Sequence, residues 1–323
     1  MRLRIVGPTL SLLLLHLVVT PHGNEGNQHT TSPCRTVESE VDIQALLKAV
    51  FTQKPQELLQ QSIIDQPFVD AIKDARIEVC DDHLLDVITT PGAQPTIVFD
   101  SSLLGVFALE SQSIVLGQYL LNEKVDRRLT DPFQIHGELM RSIGQQDLVH
   151  NRPAIRMEDV VERFLGRKID IEPILDGSVF QQRQNTLFAN SLYFIVFHEL
   201  CHIVNRARSA PSPSQRQAQS RGDVTQGELD ADSCAINIIN QDERRAKSSP
   251  ISFFSVLLVT STQRAIAVAL ERSGAVLRHP SPLARINNAY RLMAEFLDSA
   301  PDTMKYRSSV NAAYRHFLAT AEK

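Results

Sequence analysis

Residues 187–204 constrain this chain more than any other stretch. Leu187, Phe188, Leu192, Tyr193, Phe194, Ile195, Val196, Phe197, Leu200, Ile203 and Val204 make the segment too apolar for a helix with one wet face. Asn190, Ser191, His198, Glu199 and His202 make it too polar for a bilayer span. A helix walled in by protein on all sides satisfies both conditions. A second run, 251–270, has the same character and carries Gln263 and Arg264. Two such helices predict an α-rich core.

The remaining pattern is mostly helical. Apolar residues recur at helical spacing over 37–86, through Val41, Ile43, Leu46, Leu47, Val50, Phe51, Leu58, Leu59, Ile63 and Ile64. A turn at Thr90, Pro91 and Gly92 closes this small helical segment. Residues 96–100 read as a strand, and 107–116 as a β-hairpin with a polar turn at 110–112. Helical sequence resumes at Leu120 and Leu121 and continues over 157–165, 179–205, 228–241, 251–273, 282–298 and 302–321. Residues 206–227, rich in Arg, Ser, Thr and Gln with Val224 the one large aliphatic, read as a mobile loop. The expected class is α+β, mostly α. The expected division is a signal peptide over 1–22, a linker and helical segment over 23–90, and the main domain over 91–323.

Arg2 and Arg4 precede an apolar run at 5–19, and breaker-rich sequence begins at Pro21. That is the layout of a secretory signal peptide. The run is shorter than the ~20 residues a spanning helix needs. An exported protein, periplasmic or secreted, is therefore expected, with residues 5–19 as an anchor if the signal is not cleaved. Cys34, Cys80, Cys201 and Cys234 allow three pairings in an oxidising compartment. Pairing within regions gives Cys34–Cys80 and Cys201–Cys234; the alternative for Cys201 and Cys234 is a pair of buried thiols. A net charge of -4 and the absence of Trp exclude a general nucleic-acid binder, which needs a basic surface.

The chemistry sits in His198-Glu199-Leu200-Cys201-His202. Histidines at i and i+4 project from one helical face, so both imidazoles reach one zinc ion at ~2.0–2.1 Å. Glu199 beside the first ligand has the position of a general base. Downstream, Glu228-Leu229-Asp230-Ala231-Asp232 opens another helix. A catalytic zinc takes three protein ligands and one open position, and Glu228 fits as the third. Asp232, one turn on, can accept the free ring N–H of a liganding histidine. Small Ala231 allows the two helices a close approach.

This pair of motifs, His-Glu-x-x-His and Glu-x-x-Ala-Asp, resembles the gluzincin zinc metallopeptidases. The resemblance is nearest to the prenyl-protein (CAAX) endopeptidase branch and its soluble periplasmic relatives. His279-Pro280-Ser281-Pro282-Leu283-Ala284-Arg285-Ile286 resembles that branch's downstream His-Pro segment, and 107–109 with 114–116 its hairpin ahead of the zinc helix. The resemblance runs from about 96 to 286. It implies a zincin-like domain with a small hairpin or sheet ahead of the zinc helix. It implies one zinc per chain held by His198, His202 and Glu228, Glu199 as base, Asp232 as orienting residue, His279 as oxyanion donor and Arg285 as a substrate-binding group. The expected activity is an exported zinc-dependent metalloendopeptidase using a zinc-activated water on peptide or protein substrates. No nucleic-acid partner is expected, and no stable membrane span after signal removal. The alternative is an inactive, zinc-stabilised domain that binds peptides or partner proteins.

Overall fold

The computed structural model describes residues 41–80, 87–90, 94–146, 155–208, 221–246, 251–272, 282–299 and 306–321. Helices α1 (Val41–Gln60) and α2 (Gln66–Ile72) come first. Asp65 caps α2, its carboxylate accepting from Phe68 N at 2.9 Å. Strands β1 (Arg76–Cys80), β2 (Val87–Thr90) and β3 (Thr96–Asp100) follow, then α3 (Ser101–Asn122). The chain continues through α4 (Gln134–Gly144), α5 (Met157–Leu165), α6 (Glu172–Leu175) and α7 (Ser178–Arg208). Helices α8 (Arg221–Ala246), α9 (Ile251–Arg272), α10 (Pro282–Asp298) and α11 (Arg307–Ala321) complete it. The class is α+β and mostly α.

The sheet has the order β1-β3-β2. β1 lies parallel to β3 in the register Arg76 to Thr96, and β2 antiparallel to it with Val87 opposite Phe99. β3 alternates half-buried and buried residues, with Ile97 and Phe99 fully enclosed. β1 lies inside the stretch expected to be helical. A parallel partner 20 residues downstream, rather than local periodicity, makes Arg76–Cys80 a strand.

The hairpin expected over 107–116 is instead the middle of α3. Asp100 caps this helix, accepting from Ser102 N at 2.7 Å and Leu103 N at 3.2 Å. Leu103, Phe107 and Glu110 share one buried face, and Leu116 and Leu120 extend the burial to another side of the helix, so that protein surrounds most of its circumference. Glu110, Ser111 and Ser113 look like a solvent-facing turn in sequence but are completely enclosed. A β-hairpin does precede α7, formed by β2 and β3. Gly117 brings α3 against the following loop, since a Cβ there would lie 1.9 Å from the Pro132 carbonyl oxygen.

α7 is the central element. α1, α2, α3, α8, α9 and β2 all pack on it. Phe194, Val196, Phe197, Leu200 and Cys201 are without or nearly without exposed surface. Phe197 stacks on Phe68 at 6.5 Å between ring centroids, and Tyr193 meets it edge-on at 4.8 Å. The main core runs continuously from Leu47 on α1 to Ala289 on α10, and a smaller cluster joins α9, α10 and α11 around Leu257, Leu297 and Phe317. α3 and α7 are long and apolar enough to cross a membrane by length and composition. Their apolar windows are 56% and 83% buried in protein, the expected condition of core helices. In α9 the hydroxyls of Thr260, Ser261 and Thr262 return to carbonyls of Val256 and Leu258, which lets polar residues sit in the core. Of the expected loop 206–227, residues 206–208 finish α7 and 221–227 begin α8; the rest lies outside the described residues.

Candidate metal centre

α7 and α8 bring together His198, His202 and Glu228, with one ligand atom from each within 4.8 Å of the others. His198 Nε2 lies 3.1 Å from His202 Nε2 and 3.4 Å from Glu228 Oε2. Glu228 Oε1 lies 3.2 Å from His202 Nε2. A tetrahedral ion with bonds of ~2.0–2.1 Å separates its ligand atoms by about 3.3 Å, so the three spacings match tetrahedron edges. The donor set, two imidazoles and one carboxylate, is one that can hold a divalent metal ion.

The surrounding groups fix these side chains. Asp232 Oδ1 lies 2.9 Å from His198 Nδ1, leaving Nε2 to face the metal position. Arg285 closes the network from α10, donating through Nε to Asp232 Oδ2 at 2.8 Å and through Nη2 to Oδ1 at 2.6 Å. Its Nη1 donates to Gln263 on α9 at 2.5 Å and lies 3.8 Å from Glu228 Oε2. Asp232 and Arg285 are 1% and 2% exposed, so this bidentate pair works in a low-dielectric setting. Burial opposes charge on Asp232, but Arg285 and His198 overcome it and hold the carboxyl down at about 2. Burial likewise opposes charge on His198, but Asp232 and Glu228 lift the metal-free imidazole to about 9. Burial opposes charge on Arg285 too, and Asp232 and Glu228 raise it above its ordinary value.

Glu199 places Oε1 3.9 Å from His198 Nε2, while its Oε2 accepts from the Thr89 hydroxyl at 2.5 Å. One carboxylate oxygen is thus tied to the edge strand β2 and the other faces the metal group. Val87, Leu103, Phe107, Phe194, Ile195 and Val259 line the apolar side of the pocket, beside His198, Glu199, Glu228, Gln263 and Arg285. Thr89 and Gln263 were not picked out as site residues from sequence. Gln263 carried a signal, a lone amide in an apolar helix. Thr89 is 110 residues from its partner and carried none.

The structure gathers five of the seven expected site residues, His198, Glu199, His202, Glu228 and Asp232, around one point. Arg285 lines the same pocket with Nε and Nη2 donating to Asp232 and Nη1 to Gln263. His279 lies outside the described residues. Cys201 and Cys234 form a disulfide, as pairing within regions anticipates. Cys80 is also disulfide-bonded, while Cys34 lies outside the described residues.

Residues 172–301 match the model of a family described as Peptidase U49. The matched span, under half the chain, begins at α6 and holds the metal group, Asp232 and Arg285. It supports a peptidase, a hydrolase acting on peptide or protein substrates. No curated protein and no solved structure matches the chain.

Proposed function

We propose that the chain is an exported, gluzincin-type zinc metalloendopeptidase with one zinc per chain. The observation that carries this reading is the near-tetrahedral spacing of His198, His202 and Glu228, with Glu199 alongside. Bound zinc supplies a Lewis acid that acidifies water and takes up charge from the scissile carbonyl oxygen. Glu199 accepts the water proton at Oε1 and delivers it to the departing amine. Thr89 fixes the other oxygen of that carboxylate, so the base does not rotate away. Asp232 holds His198 in the tautomer that presents Nε2, and Arg285 holds Asp232. Arg285 is an anchor for this network in our reading rather than a group that reaches substrate, because each of its three nitrogens donates to a side chain inside the protein. His279 keeps the oxyanion-donor role by resemblance alone.

Export is supported by the signal-like layout of residues 1–22 and by disulfides at Cys80 and at Cys201–Cys234, which persist in oxidising compartments. The test of the function is Glu199→Gln. This variant should retain zinc and lose hydrolysis of a dye-labelled unfolded protein by ~10²-fold or more. Activity near wild type would remove Glu199 as the base, and a wild type inert with zinc bound would favour a non-catalytic binding domain.

A further inference from the structure

The Cys201–Cys234 disulfide joins the two helices that supply every residue of the metal group. Cys201 stands inside the His-Glu-Leu-Cys-His run, immediately before His202, and Cys234 stands two residues beyond Asp232. Their Cα atoms are 6.1 Å apart. Cys201 is fully enclosed and Cys234 half-buried. Peptide hydrolysis needs no sulfur here, and an aliphatic side chain would fill the same space.

The packing of α8 shows what the bond adds. Near the metal group, its fully buried apolar residues are Ala231 and Ala235, which bury little surface compared with Leu or Ile. The larger Ile236 directly follows Ala235, and Ile238 and Ile239 come next along the helix. The polar contacts of this half of α8 reach α10, through Arg285 to Asp232 and through Asn288 to Ser233 Oγ at 3.1 Å, and reach α7 through Asp232 Oδ1, 2.9 Å from His198 Nδ1, and through Glu228. Across the α7–α8 seam beside the ligands, the disulfide is the covalent tie, closing a separation of 33 residues.

Resting on the metal-site reading above, we propose that this disulfide belongs to the metal centre as a positioning element, and that metal affinity depends on its oxidation state. The oxidised bond holds Glu228 in register with both imidazoles. Reduction by a dithiol opens it. One reductant thiolate attacks a sulfur and expels the other cysteine as thiolate; the second reductant thiol then displaces the mixed disulfide. Two electrons and two protons end on Cys201 and Cys234, and the reductant leaves as its own disulfide. α8 stays anchored to α10 through Asp232 and Ser233 and to α7 through Asp232 and His198, but the covalent tie beside His202 is gone, and the metal is held ~10–100-fold more weakly, the scale of losing a ligand-orienting contact.

The test uses the full oxidised chain and zinc alone, titrated against a chromophoric chelator. Cys201→Ala/Cys234→Ala is compared with wild type well below each protein's own melting temperature, with helical content checked by circular dichroism. We expect a zinc Kd raised ~10–100-fold in the variant. A purely structural staple would lower the melting temperature and leave Kd unchanged, and that result overturns the proposal while the metal site stands. A wild type that binds no zinc overturns both. Should the variant fail to fold, zinc-loaded wild type is treated with a phosphine reductant and iodoacetamide, or with iodoacetamide alone. Faster zinc release on reduction supports the proposal, and equal release overturns it.

Discussion

Replacing Asp232 with alanine removes the carboxylate on which two separate tasks converge. Asp232 is 1% exposed and accepts from Arg285 at 2.8 and 2.6 Å, with His198 Nδ1 at 2.9 Å. The variant leaves a guanidinium that is 2% exposed with Gln263 as its remaining close acceptor. Breaking a buried pair from one side costs ~3–5 kcal/mol, because an uncompensated charge stays inside. Urea unfolding of chelator-stripped protein should show a loss in that range. His198 also loses its orienting acceptor, so zinc affinity should fall ~10–100-fold in the same variant. The Arg285 guanidinium, with Nη1 already 3.8 Å from Glu228 Oε2, loses its carboxylate partner and draws that ligand towards itself, which acts in the same direction. The double variant Asp232→Ala/Arg285→Met separates the tasks. Removing both charges should recover at least half of the lost stability, since buried pairs are often replaceable by apolar groups. It should not recover zinc affinity, because His198 remains unsupported. A loss below ~1 kcal/mol in the single variant, or no recovery in the double, would refute the reasoning about the buried pair. Recovery of zinc affinity in the double variant would show that His198 needs no carboxylate.

Two further outcomes follow from contacts outside the ligand set. Thr89→Val keeps shape but removes the hydroxyl on Glu199, so kcat should fall ~10-fold or more with zinc content unchanged, on the scale of a hydrogen bond to a charged group, and Thr89→Ser should restore it; equal kcat for Val and wild type would deny Thr89 any part in positioning the base. Burial raises the Glu110 carboxyl well above its ordinary 4.5, opposed in part by the Thr262 hydroxyl, and His136, 3.5 Å away, is lowered well below 6.5 by burial and then by His316. The folded chain therefore keeps a proton on Glu110 that the unfolded chain releases above about 4.5, so this stability is complete below that pH and is lost as pH rises. Glu110→Gln should gain on wild type between pH 5 and 8 by up to ~1.4 kcal/mol per pH unit in urea unfolding, and a pH-independent gap would contradict the assignment.

The legible parts of this molecule were those encoded locally. His198 and His202 share a helix face through i,i+4 spacing, and Glu228 and Asp232 do the same on α8, so their convergence could be read from two short strings. The core character of α7 followed from a composition that neither water nor lipid suits. What failed depended on partners distant in sequence. Glu110, Ser111 and Ser113 imitate a turn, and their burial comes from the helices around α3. β1 is a strand because β3 lies beside it. Thr89 reaches Glu199 because β2 packs on α7, a contact that no local pattern announces.

Metal content of the purified oxidised chain, measured by plasma mass spectrometry beside His202→Ala and Glu228→Ala, bears most directly on the centre formed by α7 and α8. One zinc per wild-type chain and none retained by either folded variant is the expected result. A wild type without stoichiometric metal, or a Glu228→Ala chain that keeps its zinc, would contradict the assignment of these three residues as the ligands.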